Sequence, residues 1–333
     1  MLYEHAGNQK LRCNLCNHRC VIPEGGKGLC GVRLNEEGIL YTLVWGKAIA
    51  AHVDPIEKKP LNHFLPGSLS YSIATSGCNF RCSFCQNWSI SQSPREENKI
   101  GGQMIKPAEL IENALHSNCE SISYTYTEPT IFFEYAYDTG KLAREKNIKN
   151  VFVSNGYMTP ECLDEAGDFL DAANIDLKSF TDSFYRKMCG GRLDPVCESI
   201  KKIKKQGIWL ELTTLLIPQK NDSIQELHEM AQFIAEEVGK DTPWHISRYH
   251  PAYRYNDSKS TPAETIHKAR EIGLEAGLEY VYVGNIGGDA GEDTYCPECK
   301  TKLIDRNLFN ISENRIRNGR CPVCNKKISG VWK

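Results

Sequence analysis

The chain has 333 residues, 41% of them hydrophobic and 25% charged, with a formal net charge of −2. This is an ordinary soluble globular composition, long enough for one large domain with appendages or for two domains. The charge makes no overall case for nucleic acid or a membrane surface as partner, and no apolar run nears the ~20 residues that a spanning helix needs. The first residues, "MLYEHAGNQKLRCNLC", have neither an apolar core nor a cleavage signal, so residence in the cytoplasm is expected.

Fifteen cysteines are many for such a chain, and in that compartment they argue for metal and redox chemistry rather than disulfides. Eleven fall into three groups, which divide the chain into a head (1–50), a body (51–290) and a tail (291–333). The scattered Cys119, Cys162, Cys189 and Cys197 are expected to be small buried hydrophobes. In the head, "CNLCNHRCVIPEGGKGLCG" spaces Cys13, Cys16, Cys20 and Cys30 as C-x2-C-x3-C-x9-C, with His18 inside. Four cysteines close a site, for zinc or for a second [4Fe–4S] cluster; zinc is the first expectation for a structural knuckle. "HVDPIEKKPLNHFLPGS" (52–68) then sets Asp54, Lys58, Lys59 and His63 ahead of the first strand of the body, as a solvated loop or as part of a substrate pocket.

The body opens on the apolar run 69–76 and passes straight into "GCNFRCSFCQ", where Cys78, Cys82 and Cys85 stand at C-x3-C-x2-C. Thiolates at that spacing in a turn of small residues suit a [4Fe–4S] cluster, whereas tetrahedral zinc would want a fourth ligand nearby. Three cysteines leave one iron open to a substrate or cofactor. The stretch 91–103 reads as a polar loop. Further β-rich runs at 121–127, 150–155, 172–179, 208–218, 243–249 and 279–285 alternate with helical patterns. Strand followed by helix, repeated, predicts a parallel sheet with helices outside: an open or full α/β barrel, with a doubly wound sheet as runner-up. In either architecture ligands sit at the carboxyl ends of the strands. There the sequence places Glu128, Ser154, Asn155, Asp176, Lys178 and Thr213, and His245, Arg248, His250 and Tyr253 crowd the last strands. In the tail, "CPEC" and "CPVC" (Cys296, Cys299, Cys321 and Cys324) form two knuckles of a zinc-ribbon or rubredoxin-like site, with zinc the default. Nine Lys/Arg against three Asp/Glu over 296–333 make this a basic module, read as a solvated cap rather than a nucleic-acid surface.

The three-cysteine loop resembles that of the radical S-adenosylmethionine enzymes, with Phe84 as the aromatic residue before the third cysteine. The resemblance implies a partial or full (β/α) barrel with small cysteine-rich modules at both ends, and a [4Fe–4S] cluster whose open iron chelates S-adenosylmethionine. It implies reductive cleavage to a 5′-deoxyadenosyl radical, and a reductant such as ferredoxin or flavodoxin. "TEPT" stands where the superfamily has a Gly-Gly-Glu-Pro motif, so Glu128 would take the methionine ammonium; Tyr126 and Thr127 replace the glycines. "SNG" makes Ser154 and Asn155 cofactor contacts. "IDLK" gives Asp176 to the ribose and Lys178 to the carboxylate, and Thr213 and His250 join this set. With "DPIEKKPL", "FCQNWSISQ" and "RYHP", the whole is similar to the radical enzyme of the AmmeMemoRadiSam system, a relative of pyruvate formate-lyase activating enzymes. That likeness implies association with Memo-like and AMMECR-domain proteins but gives no substrate. Glycyl-radical installation on a partner, modification of a small anionic molecule, and a metal-stabilised nucleic-acid-binding scaffold are the competing functions.

Overall fold

The computed structural model describes residues 2–256 and 258–332. Its centre is a sheet of eight strands: β1 (Ala50–Pro55), β2 (Leu69–Ala74), β3 (Cys119–Tyr124), β4 (Lys149–Ser154), β5 (Ala172–Asp176), β6 (Trp209–Leu216), β7 (Trp244–Arg248) and β8 (Val281–Gly284). They lie in strict sequence order, all pairs parallel except β1 against β2. The order never reverses, so the sheet is not doubly wound, and β8 and β1 are its two edges: the barrel is open. Helices α1 (Pro107–His116), α2 (Phe133–Glu145), α3 (Pro160–Gly167), α4 (Leu193–Lys205), α5 (Ile224–Phe233) and α6 (Ala263–Glu275) make the crossovers. Pro107 and Pro160 stand in the first turn of their helices, where a missing N–H costs nothing.

Alternation along the strands sorts the side chains. Ile73, Ile122, Tyr124 and Phe152 belong to the large apolar cluster that includes buried residues of the helices. The other face carries Ser72, Ser123, Asn174, Glu211, Thr213 and His245, all buried and largely polar. That inner face is filled by segment 56–65 rather than by its own side chains. Ile56, Leu61, Phe64 and Leu65 pack on Val151 and Ala172. Glu211 receives the backbone N–H groups of Asn62 and His63 at 2.9 and 2.7 Å, and Asn174 donates to the Pro60 carbonyl at 2.8 Å. Buried backbone polar groups need partners, and the acid on β6 supplies them.

The tail holds this plug from below. Its strands Thr294–Tyr295, Lys302–Asn307 and Asn310–Asn314 form an antiparallel sheet. Val331 N–H donates to the His63 carbonyl at 2.7 Å, Leu65 N–H to the Val331 carbonyl at 2.8 Å, and Arg306 to the Asn62 carbonyl at 2.8 Å. The head contributes a three-stranded sheet (Tyr3–His5, Leu11–Cys13, Val21–Ile22) and a hairpin (Arg33–Glu36, Ile39–Thr42). Two expectations are revised. The start of 52–68, read as a solvated loop or part of a pocket, belongs to β1, and the polar stretch 91–103 contains a helical turn, Ser93–Glu96, and a short strand, Gln103–Met104. No helix among the described residues is long and apolar enough to cross a membrane.

Candidate active site

A cavity of about 300 Å³ opens at the carboxyl ends of β2 to β6. Cys78, Cys82 and Cys85, on the loop after β2, face it together with Phe84; among the described residues no other Cys or His lines it. The loop is held tightly. Phe80 N–H donates to Cys78 Sγ at 3.4 Å, Cys85 Sγ lies 3.4 Å from Ser91 Oγ, and Gln92 and Arg95 both donate to the Phe80 carbonyl. From the opposite side, Arg81 N–H donates to the Cys189 carbonyl at 2.8 Å and Ser83 N–H to the Met188 carbonyl at 2.9 Å. A Cβ on Gly191 would stand 2.4 Å from Phe80 Cε1, so only glycine lets the two segments meet.

Burial pushes the Cys78 thiol well up, and the nearby Glu128 carboxylate adds to this. For Cys82 the first cause is contact with the Cys189 thiol, then burial. Each of these thiols must give up its proton to serve a metal as a thiolate. Glu128, which follows β3, is 1% exposed. Its Oε1 accepts from Thr130 N–H (3.1 Å), Thr130 Oγ1 (2.5 Å) and Ser154 Oγ (2.8 Å), and its Oε2 from Asn155 N–H (2.8 Å). Burial raises its pKa, and these four donors work against that rise. Asn155 also donates to Asn79 Oδ1 at 2.7 Å, which ties the β4 end to the cysteine loop. At the β5 end, Lys178 Nζ lies 2.6 Å from Asp176 Oδ2. Burial alone would lower the Lys178 pKa, but the negative charges around it, Asp176 foremost, hold it well above the ordinary value.

At the rim, Lys58 and Tyr126 join the lining. Tyr126 has φ of 62°, an uncommon conformation for a side chain of its size. Its hydroxyl donates to Asp54, which also takes Lys58 Nζ at 2.8 Å and the buried Lys59 Nζ at 2.7 Å. Burial works to raise the Asp54 pKa, yet these three donors keep it well below the carboxylate range. Burial lowers Lys59 to about 8 despite Asp54, so at neutral pH the pair is charged on both sides.

The structure thus brings Phe84, Glu128, Ser154, Asn155, Asp176 and Lys178 to the cysteine loop, but not Thr213 or His250. Thr213 lies deeper on the inner face, buried and donating to Asn174 at 2.9 Å. His250 is exposed in the loop after β7, with Nδ1 at 3.1 Å from Ser260 Oγ; the open sheet leaves that strand end outside the cavity. His245 is spent on Glu211 at 2.7 Å, and Tyr253 stacks on Trp88. Cys189, expected to be a small buried hydrophobe, is fully buried in the core, where its thiol also touches that of Cys82. The donor set fits an iron–sulfur cluster with an exchangeable corner: three thiols, a buried carboxylate and an ion pair around space for one small molecule.

Residues 72–234 match the sequence family described as the Radical SAM superfamily. The uncharacterized Methanocaldococcus jannaschii protein MJ0808 is 46% identical over 99% of this chain and 98% of its own length. A candidate glycyl-radical enzyme activating enzyme of the same organism, MJ1632, is 27% identical over 61% of this chain and 76% of its own. The fold is shared with a radical SAM methyltransferase from Sphaerobacter thermophilus (TM-score 0.52, 15% identity, 69% of this chain and 71% of that one). It is shared also with Streptococcus suis SuiB bound to S-adenosylmethionine (TM-score 0.52, 13% identity, 69% of this chain and 53% of that one). That domain match spans the cysteine loop and the strands behind the cavity, and on it the chain is a radical SAM enzyme, of the superfamily that uses a [4Fe–4S] cluster and S-adenosylmethionine, and is related to the glycyl-radical activating enzymes.

Proposed function

We propose that Cys78, Cys82 and Cys85 ligate the [4Fe–4S] cluster and that the cavity beside them takes S-adenosylmethionine. The observation that carries this is the lining itself: three cysteines, no fourth Cys or His among the described residues, and the buried Glu128 within one cavity at the strand ends. When bound, the pair supplies one-electron cleavage of the cofactor and a 5′-deoxyadenosyl radical that abstracts hydrogen from a substrate.

The chain's own residues then have the following parts. Glu128 Oε1 is filled by three donors, but Oε2 accepts only one and keeps capacity toward the cavity, where it receives the methionine ammonium. Ser154 and Asn155 fix that carboxylate. Asp176 accepts from the ribose hydroxyls, and Lys178 holds the methionine carboxylate. Phe84, Val153 and Leu215 give the cavity apolar wall that keeps water from the reacting centre. Lys58 at the rim meets an anionic group of the substrate.

Relatedness to the glycyl-radical activating enzymes supports hydrogen abstraction from a protein partner, and the AmmeMemoRadiSam assignment, with Memo-like and AMMECR-domain partners, rests on the set of motifs from "DPIEKKPL" to "RYHP", of which "FCQNWSISQ" is the most specific. The four tail cysteines are assigned to zinc. The test is anaerobic: reconstitute the protein with iron and sulfide, add S-adenosylmethionine and dithionite, and measure 5′-deoxyadenosine. Wild type forms it and Cys82→Ala does not; a wild type that forms none overturns the reading.

A further inference from the structure

The chain holds three groups of cysteines, and their sulfurs are not spaced alike. In the tail, Cys296, Cys299, Cys321 and Cys324 put all four sulfurs within 4.8 Å of one another, with 3.5 Å between Cys296 and Cys324 and 3.6 Å between Cys299 and Cys321. Thiolates around one tetrahedral ion, with metal–sulfur bonds of about 2.3 Å, lie about 3.8 Å apart. The tail has that size. Among the described residues no other group of three or more ligating side chains does. This applies to the cavity cysteines, whose superfamily uses a cubane, and equally to Cys13, Cys16, Cys20 and Cys30.

The head cysteines nonetheless form one constellation. Each thiol is an electrostatic neighbour of the other three. Cys13 and Cys30 are buried, Cys16 and Cys20 half-buried, and none is in a disulfide. A buried cation stands beside them: Arg33, 3% exposed, is a charge neighbour of both Cys13 and Cys30. Its two terminal nitrogens bind Glu134, but its Nε is buried without a hydrogen-bond partner. That open donor leaves room for an acceptor supplied by a bound group. His18 lies inside the motif, but its Nε2 is engaged with the Asn79 carbonyl at 2.9 Å, so it adds no ligand through that atom.

We infer that Cys13, Cys16, Cys20 and Cys30 hold a second [4Fe–4S] cluster, and not the zinc first expected of a structural knuckle. A cubane takes its thiolates on four separate irons, which sets the sulfurs wider than a single ion can. With all four corners taken by cysteine it has no open site and serves only to pass electrons. Its place suits that use. The Cys30 carbonyl lies against Gly77, where an added Cβ would stand 3.1 Å from it, and His18 reaches across to Asn79. Gly77 and Asn79 flank Cys78. A low-potential one-electron protein donor, itself oxidised by one electron, would reduce the head cluster, which hands the electron on to the cavity. This last role rests on the function proposed above; the identity of the head site does not.

The test uses the full chain with Cys78→Ala, Cys82→Ala and Cys85→Ala, prepared without oxygen with iron and sulfide supplied. Iron, acid-labile sulfide and zinc are counted per chain, and the dithionite-reduced protein is examined by electron paramagnetic resonance. The triple variant retains iron and sulfide in equal amounts and a reduced-cluster signal. Adding Cys16→Ser and Cys20→Ser removes both while zinc is unchanged. Zinc at about twice the amount lost on changing Cys299 and Cys321, with no iron, overturns the inference, as does a head without metal. If the triple variant is insoluble, Cys16→Ser/Cys20→Ser alone is compared with wild type and loses about half the iron; unchanged iron overturns the proposal. A triple variant with as much iron as wild type would count against the cavity assignment and leave the head site standing.

Discussion

Glu128 shows how a single buried side chain is held ready for a ligand. Four donors converge on its carboxylate, and they come from two strand ends, Thr130 after β3 and Ser154 and Asn155 at β4. Glu128→Gln keeps the shape but puts an N–H₂ against groups that are themselves donors, and it removes the charge that faces the cofactor's ammonium. We expect S-adenosylmethionine to bind about 10- to 100-fold more weakly, the loss of roughly 1.4–3 kcal/mol typical of a charged hydrogen bond. Equilibrium dialysis of the reconstituted protein would measure it, and unchanged affinity would take Glu128 out of the ammonium role. This residue was legible in the sequence because a carboxylate closing an apolar strand has to be paired or used. His250 was misread: its place in a motif said nothing of how far the sheet would open at β7.

At the level of elements, the seven parallel strands were legible because their buried runs are bounded by helical periodicity and turn residues. β1 was not. It is an edge strand whose side chains are mostly exposed or half-exposed, so no apolar signature marks it. The plug at 56–65 escaped for a related reason: Lys59 and His63 look like surface residues, yet both are buried, satisfied by Asp54 in one case and by Tyr282 and the Ser329 carbonyl in the other. The fit between the cysteine loop and segment 188–191 likewise depends on a contact over a hundred residues apart. It can be tested through Gly191→Ala, whose new methyl must displace the Phe80 ring. Overpacking of this kind costs about 1–3 kcal/mol. The variant should melt earlier and take up less iron on reconstitution; wild-type iron content and melting would show that the loop does not need this contact.

On the scale of the whole molecule, the tail and the barrel interior share one buried histidine. His63 Nδ1–H donates to the Ser329 carbonyl at 2.6 Å, and its Nε2 accepts from Tyr282 Oη at 2.6 Å, an arrangement only the neutral ring can make. Burial lowers its pKa to about 4. The neutral form therefore stabilises the fold fully above the unfolded value near 6.5, and that contribution is lost as pH falls from there toward 4. Between pH 7 and 5 wild type should lose about 2 kcal/mol more unfolding free energy than His63→Gln, read from urea titrations at each pH. Parallel losses in the two proteins would assign the acid sensitivity elsewhere. The same bond joins residues 266 apart in sequence. A ribosome emitting this chain has thus released every barrel strand well before the piece that seals the underside exists. During that interval the nascent protein is a vessel without a base, and a module made after all its walls decides when the underside closes.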